Sequence, residues 1–160
     1  MTLDLTSEQV WKELEKDLFA VLGMVTSKGE ARTVGIVYIV HDHKLYISTG
    51  KKSWKARHIR GNPHVSITVP IAKRVPIMPW IKIPAATITF SGMATVLEPG
   101  EVSLEVVQAL FSGMETSSEM LADLCVIAVE PVGEFITYGV GVSLMTMRTP
   151  EASRGRVQVG

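Results

Sequence analysis

The chain has 160 residues, of which 46% are apolar, so one domain can bury a sizeable core without disulfide or metal staples. Its 16 basic and 16 acidic side chains cancel to a formal net charge of zero, which argues against a nucleic-acid partner. A single cysteine excludes a disulfide framework and a cysteine-rich zinc module. No apolar run reaches the length of about 18 residues that a membrane helix needs, and no secretion signal precedes the first predicted helix. We therefore expect a soluble, cytoplasmic protein with no membrane partner.

The first predicted element is an amphipathic helix near the amino terminus. Thr6 can cap this helix, and Gln9 stands three residues later in the capping-box position. Its apolar face is predicted to consist of Val10, Trp11, Leu14, Leu18 and Phe19. We expect this face to pack against the core.

From residue 20 onward the apolar pattern is typical of strands. Residues 20–26 are apolar and β-prone, residues 27–30 form a turn, and residues 32–40 predict a longer strand. The polar tetrad 41–44 turns the chain back into a third strand over residues 45–49. Three strands with short connections predict an antiparallel meander or barrel.

A second helix and a fourth strand follow. Residues 51–60 have helical composition and are followed by Gly61, a suitable C-cap, and then by Asn62 and Pro63. Strand character returns over residues 64–69.

A proline-rich segment, residues 70–84, interrupts the strands. It holds four prolines, the basic pair Lys73 and Arg74, and Trp80. Proline lacks the N–H group that a central strand must donate, so we predict a loop or an edge excursion. A loop of this length in a compact domain is usually functional or flexible.

The second half of the chain continues the β pattern. Residues 85–97 predict a strand in which Gly92 marks a bulge or a close backbone approach. Residues 102–111 carry a helical pattern, and residues 124–129 and 134–138 predict two further strands. The last twenty residues contain no helix of convincing length.

In total, the sequence predicts six or seven strands and two or three short helices. Mostly antiparallel pairing around one core predicts a mainly β fold, a small barrel with helices covering its ends. No boundary divides the chain, so we expect a single domain over residues 1–160.

Cations are concentrated at the start of the second predicted helix. A helix N-terminus presents unpaired N–H groups and a partial positive charge, which suits a phosphate. Cations there oppose the helix dipole, and a bound anion would remove the conflict. The side chains that could contact such an anion are Ser48, Thr49, Lys51, Lys52, Ser53 and Lys55. These residues alone leave two readings open, an anion site and an ordinary solvated basic helix.

Several short fragments, taken in their order and spacing, carry a family resemblance. They are residues 23–26, Gly29, residues 32–34, residues 45–49, Ser53 with Lys55, Asn62 with Pro63, and more faintly residues 88–94. In this pattern the chain resembles the pyridoxamine 5′-phosphate oxidase-related split-barrel flavin proteins. The resemblance implies a six-stranded antiparallel split β-barrel of the FMN-binding type. It also implies a homodimer that holds FMN in a groove between the subunits.

Carried over by position, the resemblance also implies a set of cofactor-binding residues. Lys55 and Ser53 match phosphate-contacting residues, and Ser48 and Thr49 match the hydroxyl pair at the preceding strand end. In the family, the backbone of one strand runs along the flavin ring, and the matching positions here are Thr33, Val34 and Gly35. Trp54 stands where the oxidase proper often has arginine, and Lys51 or Lys52 could substitute for the lost cation.

The resemblance does not extend to vitamin B6 oxidation. The oxidase itself carries an Arg-x-His arrangement near its carboxy terminus, whereas this chain has Arg154-Gly155-Arg156 without the histidine. We expect Arg148, Arg154 and Arg156 to pair with acidic groups at the dimer interface.

Three functions remain open at the sequence level. The first is an FMN-dependent oxidoreductase acting on a small-molecule substrate, with Trp80 shaping access to the flavin or plugging an apolar patch of the dimer. The second is a reductase of the same fold that uses the deazaflavin F420. The long acidic tail of F420 would favour an extended basic groove, which could consist of Lys51, Lys52, Lys55, Arg57, Lys73 and Arg74. The third is a non-enzymatic module that binds flavin or haem, with His64 a candidate for haem.

The remaining histidines and the cysteine predict no metal centre. His41 and His43 are expected at a polar hairpin tip, since zinc needs three or four ligands. Cys125 lies in an apolar run, so we expect a buried and unreactive thiol.

Overall fold

The computed structural model describes residues 3–75, 77–114 and 117–160. Within these residues one sheet contains eight strands: β1 (Phe19–Val25), β2 (Ala31–Val37), β3 (Ile39–His41), β4 (Lys44–Gly50), β5 (His64–Ile71), β6 (Ala86–Leu97), β7 (Leu124–Tyr138) and β8 (Arg154–Gln158). The helices are α1 (Ser7–Lys16), α2 (Trp54–Gly61), α3 (Leu104–Leu110), α4 (Ser118–Ala122) and α5 (Pro150–Ser153), with 3₁₀ turns at Pro99–Glu101 and Thr146–Arg148. None of the described helices has the length and apolar character that a membrane crossing demands.

The strands pair in the order β2-β1-β5-β6-β7-β4-β3, and β8 adds to β7. All the pairings between described strands are antiparallel. The sheet curls, because β2 and β4 contact each other although they are not paired. This curled sheet confirms the prediction of a mainly antiparallel split barrel with a few short helices.

The strand count differs from the prediction in three places. The predicted strand 32–40 is divided into β2 and β3, whereas the predicted strands 124–129 and 134–138 are both part of the continuous β7. The carboxy-terminal β8 was missed. The resemblance implies six strands, whereas the described part of the chain has eight strands of three to fifteen residues in the same split-barrel architecture.

The amino-terminal helix is capped as predicted but ends earlier. Gln9 N–H donates to the Thr6 hydroxyl over 3.2 Å, and the Thr6 N–H donates to the Gln9 side chain over 2.9 Å. The helix ends at Lys16, because Asp17 is already extended. Leu18 and Phe19 are therefore exposed, and the expectation that they share the buried face is wrong.

The polar hairpin tip is confirmed between β3 and β4. Asp42 and His43 both have positive φ, at 46° and 55°, as a tight two-residue turn between antiparallel strands requires. The His43 ring stacks on the buried Trp11 indole with centroids 4.8 Å apart, which ties the hairpin to α1.

A second link between α1 and the sheet runs through Tyr38, between β2 and β3. The buried Tyr38 hydroxyl donates to the Leu14 carbonyl oxygen over 2.7 Å. Tyr38→Phe would leave that carbonyl without this donor, so we expect a loss of about 1 kcal/mol in the free energy of unfolding. Urea denaturation at neutral pH measures this loss.

The same tyrosine gives a pH dependence of known sign. Burial, helped by the negative charge of Asp17, raises the pKa of Tyr38 above its ordinary value. Since the unfolded chain releases this proton more readily, the stability that Tyr38 contributes is present below pH of about 10 and is lost as the pH rises further. Tyr38→Phe should flatten the alkaline decline, and an unchanged decline in that variant would contradict the assignment.

Candidate functional site

The strand-to-helix connection from β4 to α2 is held by hydroxyl groups. Ser53 is the N-cap of α2, and its hydroxyl oxygen accepts the Ala56 N–H over 3.2 Å. The Thr49 hydroxyl donates to the same oxygen over 3.1 Å. The Ser53 hydroxyl thus accepts twice, and its own proton remains available to another acceptor.

The start of α2 also presents free backbone donors. Its first intrahelical bond runs from Arg57 N–H to the Ser53 carbonyl at 3.1 Å. The N–H groups of Trp54 and Lys55 precede that bond, so they have no acceptor within the helix. These donors and the positive end of the helix dipole lie at the end of β4.

A cleft of about 320 Å³ opens where β2, β4, α2 and α3 approach one another. It is lined by Gly35, Ile36, Val37, Tyr38, Ile39, Ile47, Ser48, Lys55, Ala109 and Leu110. Three predicted cofactor-binding residues, Gly35, Ser48 and Lys55, therefore lie around one space although up to twenty positions separate them in the sequence. The contribution of α3 was not predicted.

Lys55 is the cation of this cleft. Its ammonium nitrogen lies 5.9 Å from the centroid of the Trp54 ring, within reach of a cation–π contact. Among the described residues it forms no ion pair with a carboxylate. Trp54 itself also contacts the His58 ring edge to face.

The other two lysines at the helix start are placed differently. The Lys51 ammonium lies 2.5 Å from the Glu98 carboxylate, and its carbonyl oxygen accepts from Arg60. Lys52 is exposed. Neither is among the residues that line the cleft, so the structure does not bring them to Lys55 as substitute cations.

Thr33, Val34 and Gly35, which were predicted to run along a flavin ring, are consecutive residues of β2, so their side-chain positions point to alternate faces of the strand. Gly35 faces the cleft, and a Cβ atom there would lie 2.9 Å from the Phe19 ring, so that glycine lets Phe19 pack across the strand. Val34 is partly buried and packs against the core. Thr33 lines a neighbouring depression of about 270 Å³, together with His64.

Trp80 and His64 lie apart from the cleft within one chain. Trp80 is exposed on the loop between β5 and β6, and His64 is exposed at the start of β5. Neither side chain lines the space that Gly35, Ser48 and Lys55 share.

Two other sequence-based expectations concern the last strands. Cys125 is buried as predicted, and burial raises the pKa of its thiol, which keeps the thiol protonated.

Arg156 pairs with Glu134 on the neighbouring β7 of the same chain, whereas we expected it to pair across a dimer interface.

The curled antiparallel sheet, with a basic helix start beside a cleft, places the protein in the class of split barrels. A sequence profile of the pyridoxamine 5′-phosphate oxidase family matches residues 6–137, which is most of the chain. The protein belongs to this family, and the resemblance seen in the sequence is confirmed.

Solved structures show the same fold at low sequence identity. A pyridoxamine 5′-phosphate oxidase-like protein from Listeria innocua is 19% identical with a TM-score of 0.58, over 78% of this chain and 92% of its own. An F420 reductase is 22% identical with a TM-score of 0.53, over 76% and 91%. The haem storage protein HutZ from Vibrio cholerae is 17% identical with a TM-score of 0.58, over 84% and 96%. No curated protein matches the chain.

Proposed function

We propose that the protein binds FMN in the cleft between β2, β4 and α2 and is an FMN-dependent oxidoreductase. The observation that carries the proposal is the meeting of Lys55, Ser48 and Gly35 around one cleft at the start of α2. Lys55 has no carboxylate partner among the described residues, so an external anion can satisfy its charge.

The donors at this end of the cleft fit a phosphate group. In the cleft itself the Lys55 ammonium supplies charge and the Ser48 hydroxyl supplies a neutral donor. Ser53 does not line the cleft, but it caps the same helix two positions before Lys55 and has a proton left to donate. The unpaired N–H groups at the start of α2 add backbone donors, an arrangement that commonly binds phosphates.

The rest of the cleft fits an aromatic ring system. Apolar side chains such as Val37, Ile47 and Leu110 line the remaining space, and Gly35 adds no side chain of its own to it. FMN, when bound, supplies hydride or electron transfer, so the chain need not supply a nucleophile. The residues of the cleft would bind the cofactor, orient its ring and exclude water from one side.

A homodimer would complete the site. Leu18, Phe19 and Val37 are large apolar side chains exposed on β2 and the start of β1, directly beside Gly35. Among the described strands β2 pairs with β1 alone, so its other edge is open. A second subunit that covers this apolar rim would enclose the cofactor between subunits, where a small-molecule substrate reaches the exposed ring.

The test is an absorption spectrum of the purified protein followed by titration with FMN. We expect the two flavin bands, or saturable quenching of flavin fluorescence at one FMN per subunit. A colourless protein that leaves FMN fluorescence unchanged would contradict the proposal. Turnover is tested separately, with a reduced nicotinamide as donor and a panel of acceptors.

F420 is the second candidate, because the charged side chains over residues 43–97 are all lysine or arginine, apart from the histidines. Of these cations, Lys52, Lys55 and Arg57 form no ion pair with a described carboxylate, so they are available to the acidic tail of the deazaflavin. The similar F420 reductase shows that the fold accommodates such an enzyme. The same titration with F420 separates the two cofactors, and a Soret band would instead identify a haem-binding module like HutZ.

A further inference from the structure

The loop between β5 and β6, residues 72–85, exposes an unusual set of apolar side chains. Ile77 is 84% exposed and Trp80 is 74% exposed, and Met78 and Ile81 between and beside them are also exposed. Four of the five residues from 77 to 81 are therefore large, apolar and exposed, and we call them the apolar patch of the loop. Clustered exposed apolar side chains commonly mark an interaction site.

The loop has a defined shape that presents this patch outward. The Ile81 N–H donates to the Met78 carbonyl over 3.1 Å, and the Met78 N–H donates to the Val75 carbonyl over 3.2 Å. Pro79 occupies the second position of the turn from Met78 to Ile81, where its ring fixes the backbone φ. The turn therefore holds Trp80 at the tip of the loop.

The charges that flank the patch all have one sign. Lys73 and Arg74 precede the tip, and Lys82 follows it. No aspartate or glutamate occurs anywhere between Asp42 and Glu98. The loop thus combines exposed apolar side chains with cations and has no nearby carboxylate in the sequence to neutralise them.

We propose that this loop docks the protein on an anionic lipid surface. Trp80 and Ile77 would enter the region between headgroups and acyl chains, where tryptophan is enriched. Lys73, Arg74 and Lys82 would contact the anionic headgroups. Such peripheral docking needs no spanning segment. It departs from the sequence-based expectation of no membrane partner, which rested on the lack of a long apolar run. The proposal is independent of which cofactor the cleft binds.

A second copy of the chain fits the loop less well than lipid does. In a two-fold contact of loop against loop, the cations could meet only residues of the same loop in the second copy. The sequence around the tip offers no carboxylate to pair with them. Anionic headgroups, in contrast, satisfy the cations while the acyl region accepts the apolar side chains.

The experiment is flotation of the full-length protein with vesicles of phosphatidylcholine alone or of phosphatidylcholine with phosphatidylserine. We expect binding to the mixed vesicles, which weakens as salt is added, and much weaker binding to phosphatidylcholine alone. The double variant Ile77→Ala/Trp80→Ala should lower the partition coefficient by at least about tenfold. Replacement of Lys73, Arg74 or Lys82 by alanine should lower it by about fivefold for each charge removed.

The matched control is Leu104→Ala, which removes an apolar side chain that is 69% exposed at the start of α3. This helix follows the carboxy-terminal end of β6, whereas the loop precedes the other end of that strand. This variant should bind vesicles like the unmodified protein. Circular dichroism checks that all variants are folded. The proposal is overturned if the unmodified protein does not float, or if the double variant floats as well as the Leu104 variant. It is also overturned if light scattering shows that the loop variants turn a dimer into monomers, because a second copy would then be the occupant.

Discussion

Replacement of Lys55 by alanine is expected to weaken FMN binding by about 10- to 150-fold, or about 1.5–3 kcal/mol. The physical reason is that Lys55 supplies a cation to the cleft and forms no ion pair with the described carboxylates. Its loss removes a charge-assisted hydrogen bond to the phosphate without exposing a buried partner in the protein. Quenching of FMN fluorescence during titration measures the change.

The chain offers a matched control three positions earlier. Lys52 carries the same charge on the same segment, but it is exposed and does not line the cleft. Lys52→Ala should therefore change the affinity only slightly, and the small change should vanish at high salt. Unchanged affinity in Lys55→Ala would place the phosphate elsewhere. Equal losses in both variants would mean that FMN responds to the overall basic charge of the segment.

Most of the fold could be predicted because its signals are local. The alternating strands β1, β4, β5 and β6 begin and end within two residues of the predicted bounds, since turn residues delimit each of them. The amino-terminal helix was extended too far because Leu18 and Phe19 continue its apolar period. The backbone at Asp17 is extended, which ends the helix and turns both side chains outward.

The two errors at the carboxy-terminal end have non-local causes. β4 pairs with the first part of β7 up to Val129, and β8 pairs with its last part from Glu134 onward. Between them, Pro131 has β6 as its only described strand neighbour, so its missing N–H interrupts no ladder on the other side. Pro131 therefore lies inside β7, and the prediction that the strand ends before it was wrong. β8 has no strong signal of its own, because only the pairing with β7 makes it a strand.

The candidate site was found in part for the same reason. Ser48 and Lys55 belong to one short motif, and a helix start next to a strand end is visible in the sequence. The wall formed by Ala109 and Leu110 comes from α3, far along the chain, and only the folded structure brings it to the cleft. The pairing of Lys51 with Glu98 likewise depends on where β6 ends, so a local reading could not separate Lys51 from Lys55.

Replacement of Gly92 by alanine is expected to lower the free energy of unfolding by about 2–3 kcal/mol. A Cβ atom at this position would lie 2.6 Å from Val129 Cγ1 and 3.2 Å from the Glu130 carbonyl oxygen. Both atoms belong to β7, which pairs with β6 along most of its length, so neither can move without disturbing the central part of the sheet. This contact confirms the predicted close approach, and urea denaturation measures its cost.

Gly61→Ala is the matched control. Gly61 was predicted to cap the second helix, but it is the last residue of α2 and Asn62 is the C-cap. No heavy atom lies within 4 Å of a Cβ placed at Gly61, and its φ is not in the left-handed region. The control should be neutral or slightly stabilising, since alanine reduces the entropy of the unfolded chain. A cycle with Val129→Ala separates the causes. If the clash with the Val129 methyl group dominates, the double variant loses less stability than the sum of the two single variants. If the losses simply add, the Glu130 carbonyl is the obstacle. A Gly92→Ala protein as stable as Gly61→Ala would contradict the close approach itself.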